Sequence, residues 1–575
     1  MEAKNQLDCI SIGYNDVPFE DYVDLLRNFG ADSPAFRDLK FSFIEIDGRP
    51  YNYVGLLNHL AGEGPASDNE NLFESGDLPN LAAVYLTHYL RTRGLNADYI
   101  NLFQREKNRL REMLEQDPIS VAITTTFYVM NLPVTEMVQY IRGVNSAVKI
   151  IVGGPLIANH VRNLAGQDLY AALKDIGADY YIIDSQGEAT LAQLVACLKR
   201  GDEPLTVPNM AYLGNGEVVR NMSLPESNSL EENFIDWRVF ADKDVGHTVQ
   251  LRTARSCAFK CSFCNYPTRA GELTLAGLDT LEQELDSIYE LGSVRNIVFI
   301  DDTFNVPLPR FKKICRLMIQ KKYKFNWYSY FRCSNSDQEA FDLMAESGCR
   351  GVFLGIESGS PQILTNMSKH ATIEKYEKGI RSLREHNILS FASFIVGFPG
   401  ETEQTIDETI NFLQQTRPDF YRAQNWYCEP GTPIHKQRDI YGIEGSGFEW
   451  SHNTMTSLEA MDHIDRIFLT VRDSLWLPQW SFDFWFIPYF MGLGISVEDF
   501  KTFVANAYSL LALDVAYVPD DEKRRLQQSH VGQMRKLVRS WLPLTPRRLP
   551  SVEAVMPRSI AMPIQIPVGR VALQI

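Results

Sequence analysis

The chain has 575 residues, which is enough for about three folded domains. Its composition, with 45% hydrophobic and 22% charged residues, is ordinary for a globular protein. Wholesale disorder is therefore excluded. The formal net charge of −16 also disfavours a general nucleic-acid-binding protein, which needs a basic surface.

The first 200 residues predict an α/β domain in which strands alternate with helices. Predicted strands cover residues 8–13, 97–102, 119–125, 148–152 and 180–183. The last three strands end on small or polar residues, which is typical of an open parallel sheet with a ligand crevice at its carboxyl edge. We therefore predict a doubly wound domain over 1–200 that contains a polar insertion at about 40–78.

A connector over 201–247 leads into six further strand–helix units. The predicted strands cover residues 249–253, 296–301, 325–331, 351–356, 389–397 and 420–427. Helical segments separate them, as right-handed parallel crossovers require. Six such units predict a partial (β/α)6 barrel over 248–440, with its functional residues just after the strands. A mostly α-helical, aromatic-rich region is predicted over 441–520.

Three cysteines follow the first barrel strand on one loop. Cys257, Cys261 and Cys264 have the spacing CxxxCxxC. Three thiolates on one loop can hold three corners of a cubane iron–sulfur cluster and leave the fourth iron open to a substrate or cofactor. A zinc site and three unrelated cysteines are the alternatives. Zinc would need a fourth ligand nearby, and no histidine lies between Thr253 and Arg295.

This loop resembles that of the radical S-adenosylmethionine (SAM) superfamily, which has the spacing CxxxCxΦC with an aromatic residue at the position of Phe263. The similarity extends over about 247–440, where other family motifs follow in order. It implies a [4Fe–4S] cluster whose open iron is chelated by the amino and carboxylate groups of SAM. It further implies one-electron cleavage of SAM to methionine and a 5′-deoxyadenosyl radical, with flavodoxin or ferredoxin as the electron donor.

The later barrel strands end on residues that resemble SAM contacts of this family. A carboxylate at a strand end can accept hydrogen bonds from a ribose hydroxyl or an ammonium group, and a glycine lets the backbone approach adenine closely. Each of these positions has the alternative role of an ordinary barrel turn. The expected contacts are Phe263, Asp301, Asp302, Ser329, Arg332, Glu357, Ser358 and Gly397.

The N-terminal sheet resembles the cobalamin-binding domain that precedes many radical SAM barrels. The resemblance implies contacts to the corrin and its nucleotide tail at Thr124, Thr125, Gly153, Gly154, Ser185, Gly187 and Glu188. The motif DxHxxG, whose histidine ligates cobalt, is absent from the sequence. Cobalamin is therefore an expected cofactor, and a retained scaffold that binds none is the alternative.

Two cysteines at later strand ends are candidate hydrogen-atom donors to a substrate radical, because S–H bonds are weak. Cys428 ends the sixth barrel strand and Cys333 follows the third. A buried apolar cysteine is the alternative for Cys428. The overall layout resembles a subgroup that contains phosphinate P-methyltransferases and epimerases of ribosomally made proteusin peptides.

The leading expectation from this subgroup is Cα epimerisation, from L to D, of a peptide precursor, with Cys428 as hydrogen donor. The alternative is cobalamin-dependent P- or C-methylation of a small natural product. A non-enzymatic iron–sulfur or cobalamin sensor would require a degraded SAM site. The SAM-site motifs are intact in this sequence.

The two ends of the chain and one apolar stretch bear on location and partners. Residues 1–15 lack the apolar segment of a secretory signal, so we expect a cytoplasmic protein. The stretch 474–494 contains Asp483 and two prolines, which favours an aromatic channel wall over a membrane helix.

From residue 523 onward there are ten Lys and Arg residues, one acid and six prolines. We therefore predict a basic tail over 521–575 that has either no dedicated partner or an acidic one.

Overall fold

Two seven-stranded sheets organise the chain in the computed structural model. The structure describes residues 6–15, 19–62, 73, 78–126, 128, 130–184, 186–243, 245–478, 485–516 and 518–544. The first sheet lies in the N-terminal domain and the second forms the barrel, and both have buried apolar strands. In the described part of the chain, no helix is both long and apolar enough to cross a membrane.

The N-terminal domain alternates strands and helices after an inserted group of small elements. Its strands are β1 Cys9–Tyr14, β2 Phe43–Ile46, β3 Arg49–Asn52, β4 Ala97–Leu102, β5 Ser120–Thr124, β6 Lys149–Gly153, β7 Tyr180–Ile182, β8 Met210–Gly214 and β9 Glu217–Arg220. Its helices are α1 Phe19–Arg27, α2 Pro34–Lys40, α3 Tyr53–Ala61, α4 Leu81–Arg91, α5 Lys107–Leu114, α6 Leu132–Val144, α7 Pro155–Asn163, α8 Gly166–Ile176 and α9 Glu188–Lys199.

The strand order of this sheet is β4-β1-β5-β6-β7-β8-β9. The pairs from β4 to β7 are parallel, and β8 and β9 add an antiparallel edge. The direction of strand addition reverses at β1, so a crevice opens outside the carboxyl ends of the central strands. The predicted doubly wound sheet is thereby confirmed.

The second sheet is an arc of parallel strands with helices outside it. Its strands are β10 Thr248–Leu251, β13 Asn296–Phe299, β14 Asn326–Phe331, β15 Cys349–Glu357, β16 Leu389–Val396, β17 Phe420–Asn425 and β21 Leu475–Trp476, and a small hairpin is formed by β11 Ala254–Arg255 and β12 Thr274–Leu275. Its helices are α10 Tyr266–Ala270, α11 Leu278–Glu290, α12 Leu308–Lys321, α13 Gln338–Glu346, α14 Pro361–Asn366, α15 Ile373–Glu385 and α16 Glu403–Thr416.

All six strand pairs of this arc are parallel, from β10 at one end to β21 at the other. The predicted partial barrel of six βα units is confirmed, and the short β21 extends it by one strand. The remaining elements are α17 Arg438–Tyr441, β18 Glu444–Ser446, β19 Glu449–His452, β20 Met455–Thr456, α18 Ser457–Thr470, α19 Phe486–Leu493, α20 Val497–Val515 and α21 Asp520–Trp541.

The segment predicted as a polar insertion contains part of the hydrophobic core. In residues 41–61, apolar side chains such as Ile44 and Tyr53 are buried, and the ring of Phe41 lies 4.8 Å from that of Trp476 in β21. This segment packs on α20 and α21. The polar residues that suggested an insertion follow Gly62, and most of them lie outside the described part. Burial of the apolar face closes the edge of the barrel arc.

The predicted basic tail begins later than the sequence indicated. Residues 520–541 form the 22-residue helix α21, whose Met534, Val538 and Trp541 are buried on one face. The basic residues lie on the other faces, so the charge count concealed an amphipathic helix. Residues 545–575 lie outside the described part. In the predicted channel wall, Phe486 and Phe490 are buried core residues, and residues 479–484 lie outside the described part.

Candidate active site beside an interdomain cavity

Backbone hydrogen bonds hold the cysteine loop between two other parts of the barrel. Ser262, within the loop, donates its N–H to the carbonyl of Met367 at 2.9 Å and its hydroxyl to the carbonyl of Asn366 at 2.8 Å. Its own carbonyl accepts the N–H of Ile434 at 2.8 Å. The shape of the loop is therefore set by the protein itself.

The three thiols lie close enough to influence one another electrostatically. The Cys264 sulfur accepts the N–H of Tyr266 at 3.4 Å, and the Cys257 sulfur lies 3.7 Å from the Thr303 hydroxyl. Burial raises the pKa of Cys264 to about 11, against the lowering effect of the Tyr266 N–H; Cys261 and Cys257 raise it further. A bound iron cation would reverse this preference and hold the thiols as thiolates.

The donor set fits a [4Fe–4S] cluster. Soft thiolates are the ligands that such iron prefers, and three of them leave one iron open. In the described part of the chain, no three His, Cys, Asp or Glu side chains are grouped so as to hold a single metal ion.

An ion pair stands at the carboxyl end of β15. Lys369 Nζ donates to Glu357 Oε1 at 2.9 Å, and both side chains are buried. Glu357 has a left-handed backbone conformation, with φ of 70°, which is uncommon for this residue type and is concentrated at functional sites. Lys369 also lies 5.6 Å from the ring centroid of Phe263 in the cysteine loop. Sequence reasoning missed Lys369, because nothing local marks it as the partner of a strand-end carboxylate.

Two buried polar groups near the end of β14 have atoms with no protein partner. They are the Ser329 hydroxyl and the Nη2 of Arg332. The Arg332 guanidinium carbon lies 3.6 Å from the ring centroid of Phe259 in the cysteine loop. Buried polar atoms normally have partners, so these two atoms are suited to a ligand with both donor and acceptor groups. The amino acid end of SAM has such groups.

Three of the residues that were expected to contact SAM make contacts within the protein instead. Asp301 accepts the N–H groups of Thr253 and Ala254 at 2.7 and 2.9 Å, which ties β13 to the start of the cysteine loop. The Ser358 hydroxyl accepts the N–H of Ser360 at 3.1 Å. A Cβ on Gly397 would lie 2.3 Å from Trp450, so packing requires this glycine. The side chain of Asp302 is exposed and influences Cys264 electrostatically.

A cavity of about 350 Å³ lies between the carboxyl edge of the N-terminal sheet and the first barrel strands. Five of the predicted cobalamin contacts line it, namely Thr124, Gly153, Gly154, Gly187 and Glu188. Thr125 does not line it, and its hydroxyl donates to the Gly153 carbonyl at 2.9 Å. Ser185 lies outside the described residues.

Two glycines keep the sheet side of this cavity open. Gly154 has φ of 110°, and a Cβ there would lie 2.8 Å from the Thr125 hydroxyl oxygen. Gly187 has φ of 74°, and a Cβ there would lie 2.7 Å from Ile182. Both turns therefore require glycine, which brings bare backbone to the cavity edge. Such an edge suits a large ligand that lies across strand ends.

The barrel side of the cavity carries charged groups that sequence reasoning missed. Arg252, Arg255 and Glu284 line it together with Tyr85. Burial raises the pKa of Glu284 to about 8 and that of Glu188 to about 7, against the lowering effect of Arg252. The Tyr85 hydroxyl and the Nη2 of Arg255 are buried without hydrogen-bond partners. These atoms fit a ligand with polar groups at its rim, such as the amide side chains of cobalamin.

The two candidate hydrogen donors are buried. Cys428 has no exposed surface, and its N–H and carbonyl form a bridge with Gly447, each bond 2.9 Å long. Burial raises the pKa of Cys428 to about 12, and it does the same for Cys333. The Cys333 sulfur packs against Gly379, where a Cβ would come within 2.9 Å of it. Neither cysteine lines the interdomain cavity.

Residues 251–413 match the sequence profile of the radical SAM superfamily. This part of the chain contains the cysteine loop and the strands from β13 to β16. The chain thus carries a radical SAM domain, and the protein is a radical SAM enzyme. A [4Fe–4S] cluster and SAM are the cofactors of this class, in agreement with the donor set described above.

Two curated relatives are similar over about half to two thirds of this chain. A Pyrococcus horikoshii protein named an uncharacterized methyltransferase is 25% identical over 55% of this chain and 69% of its own length. An anaerobic magnesium-protoporphyrin IX monomethyl ester cyclase from Rubrivivax gelatinosus is 23% identical over 68% of this chain and 72% of its own.

A solved structure has a similar fold over most of this chain. The radical SAM methyltransferase TsrM from Kitasatospora setae, with cobalamin and a [4Fe–4S] cluster bound, has a TM-score of 0.53 at 16% identity, over 80% of this chain and 96% of that chain. The cobalamin-dependent radical SAM enzyme OxsB has a TM-score of 0.50 at 16% identity, over 80% and 70%. At these identities the likeness shows a shared fold.

Proposed function

We propose that this protein is a cobalamin-dependent radical SAM methyltransferase that acts on a natural product. The observation that carries the proposal is the position of Tyr266. This residue lines the interdomain cavity and donates its N–H to the sulfur of Cys264. A ligand in the cavity would therefore lie directly beside the cysteine loop. An enzyme that uses two cofactors in one reaction needs such proximity.

The residues divide between three binding tasks. The three loop cysteines would hold the cluster, and Ser329, Arg332 and Glu357 would hold the polar end of SAM. The glycine turns and the charged wall of the cavity would hold cobalamin. When bound, these groups would supply one-electron reduction and a carrier for the methyl group. The protein contributes placement and the exclusion of water from a largely buried site.

The comparisons support this proposal over epimerisation. The Pyrococcus relative and the TsrM structure are both named as methyltransferases, and a bacteriochlorophyllide d C-12(1)-methyltransferase from Chlorobaculum tepidum is 26% identical over 34% of this chain and 43% of its own. None of these three proteins is named as an epimerase. The Cys428 thiol, expected to donate hydrogen, has no exposed surface. Epimerisation is therefore kept only as an outcome of the test.

We also propose a partner and a substrate class. The electron donor would be a flavodoxin or ferredoxin of the cytoplasm, because the cluster must be reduced at low potential. The substrate would be a small natural product or a peptide precursor. Both would reach the site through the carboxyl edge of the barrel, where the cysteine loop and the SAM contacts lie.

The test is a reaction with the reconstituted protein under anaerobic conditions. Protein, SAM, reductant, hydroxocobalamin and a candidate substrate are incubated in D₂O, and the product is analysed by mass spectrometry. We expect the mass gain of one methyl group, and we expect it only when hydroxocobalamin is present. Deuterium at Cα without a methyl group, lost in the Cys428→Ala variant, would overturn the proposal in favour of epimerisation. A Cys257→Ala variant is the inactive control.

A further inference from the structure

We infer that Arg255 is a positioning residue that links the cavity ligand to the cluster loop. One nitrogen of its guanidinium group would donate to an acceptor oxygen of the ligand, either an amide carbonyl or a phosphate. The other nitrogen ties the N-terminal domain to the turn that enters the cysteine loop. The inference rests on the proposed function for the identity of the ligand, cobalamin.

The contacts of Arg255 join the two domains. Its Nη1 donates to Oε1 of Gln186 at 2.8 Å and to the carbonyl of Asn228 at 2.9 Å. The Oε1 of Gln186 also accepts the backbone N–H of Asn228 at 3.1 Å. Gln186 stands in the loop after β7 and Asn228 in the connector. Arg255 itself belongs to β11 of the barrel, so one side chain holds three segments together.

The second terminal nitrogen of Arg255 is within ion-pair distance of Glu188 but has no hydrogen-bond partner. Nη2 is buried, makes no hydrogen bond, and lies 3.9 Å from Oε1 of Glu188, beyond hydrogen-bond length. The residue is 7% exposed, and it lines the cavity. A buried donor without a partner is costly, and a guanidinium group offers its donors in a fixed fork. An acceptor oxygen at this wall of the cavity would satisfy Nη2 while Nη1 keeps its present bonds.

The backbone next to Arg255 carries the link to the cluster. Only Ser256 separates it from Cys257, and Ser256 has φ of 72°, in the left-handed region. The Ser256 hydroxyl donates to the Gly271 carbonyl at 2.6 Å, and Arg255 pairs with Thr274 across the small hairpin. The turn is therefore braced on both sides. A change at the guanidinium group acts on the first cluster ligand through a short, constrained segment.

The experiment measures binding and the cluster signal separately. Hydroxocobalamin is titrated into the anaerobically reconstituted protein, with binding measured by equilibrium dialysis. The reduced cluster is then recorded by electron paramagnetic resonance with and without hydroxocobalamin, and without substrate. Wild type, Arg255→Gln and Arg255→Lys are compared with Arg238→Gln, which changes an exposed arginine paired with Asp236.

We expect wild type and the Arg238→Gln control to bind hydroxocobalamin and to change the g values of the cluster on binding. We expect Arg255→Gln to bind about tenfold to a hundredfold more weakly, since a charged hydrogen bond is lost. At saturation it should leave the cluster signal unchanged. Arg255→Lys should retain iron and part of the affinity without the spectral change, because an ammonium group cannot reproduce the fork.

Each result decides one of the two proposals. If wild type binds no hydroxocobalamin, the proposed function fails before any variant is compared, and the link fails with it. If both Arg255 variants bind as tightly as wild type and still change the cluster signal, the link is overturned and the proposed function stands. If Arg255→Gln loses its iron, the Arg255→Lys variant decides, since a wild-type response in it overturns the inference.

Discussion

The buried carboxyl group of Glu284 makes a quantitative prediction about stability and pH. Its side chain is 6% exposed on α11, and burial raises its pKa from 4.5 to about 8. If the whole shift acts on stability, it changes the free energy of unfolding by about 4–5 kcal/mol. Water that enters the cavity reduces this figure, so we expect a measured effect of about 2–4 kcal/mol.

The sign follows from proton binding. Because the pKa is raised in the folded state, the folded protein holds a proton that the unfolded chain releases above pH 4.5. The stability contributed by neutral Glu284 is therefore complete below pH 4.5 and is lost as the pH rises toward 8. Glu284→Gln keeps a neutral side chain at every pH. Between pH 5 and pH 8, the free energy of unfolding of the variant should therefore rise steadily relative to that of wild type.

The assay is urea unfolding, followed by tryptophan fluorescence at pH 5.5 and pH 8. Trp237 donates its backbone N–H to the Ser287 hydroxyl of α11 at 3.1 Å and therefore reports on this region. Glu290→Gln, an exposed change near the end of the same helix, is the matched control and should show no such divergence. If the difference between Glu284→Gln and wild type is the same at both pH values, the reasoning from burial is refuted.

Four further changes have defined outcomes. Replacing the three loop cysteines with alanine should reduce bound iron and SAM cleavage to background, with unchanged circular dichroism. Lys369→Met leaves the buried Glu357 carboxylate unpaired and should cost about 3–5 kcal/mol in urea unfolding, and adding Glu357→Gln should recover part of that loss. Trp541→Ala removes a buried ring that packs on three phenylalanines and should cost about 3–5 kcal/mol in urea unfolding. Deletion of residues 545–575 should leave SAM cleavage unchanged.

Three of these predictions have a contrary result. Full iron loading without the loop cysteines would place the cluster elsewhere. Strictly additive losses in the Lys369 and Glu357 variants would deny that the two groups form a pair. Loss of SAM cleavage on deletion of residues 545–575 would give that segment a part in the reaction that the sequence does not indicate.

Local patterns were sufficient for most of the architecture. Strand periodicity and small residues at strand ends predicted both sheets, because these signals depend on neighbours in the chain. The spacing of the three cysteines predicted an iron site for the same reason. Helix α21 was missed because the prediction weighed its charges and the prolines beyond it, whereas its apolar face is small and gains stability only by packing on the core.

The site as a whole depended on contacts between distant parts of the chain. Lys369 beside Glu357, and Arg255 beside Gln186, are pairs that no local pattern reveals, because the fold alone brings them together. The sequence by itself determined the fold class and predicted the three cysteines as cluster ligands. Only the tertiary structure decided that Cys428 is buried and that a cavity adjoins the cysteine loop, since burial is a property of packing between elements rather than of residue order.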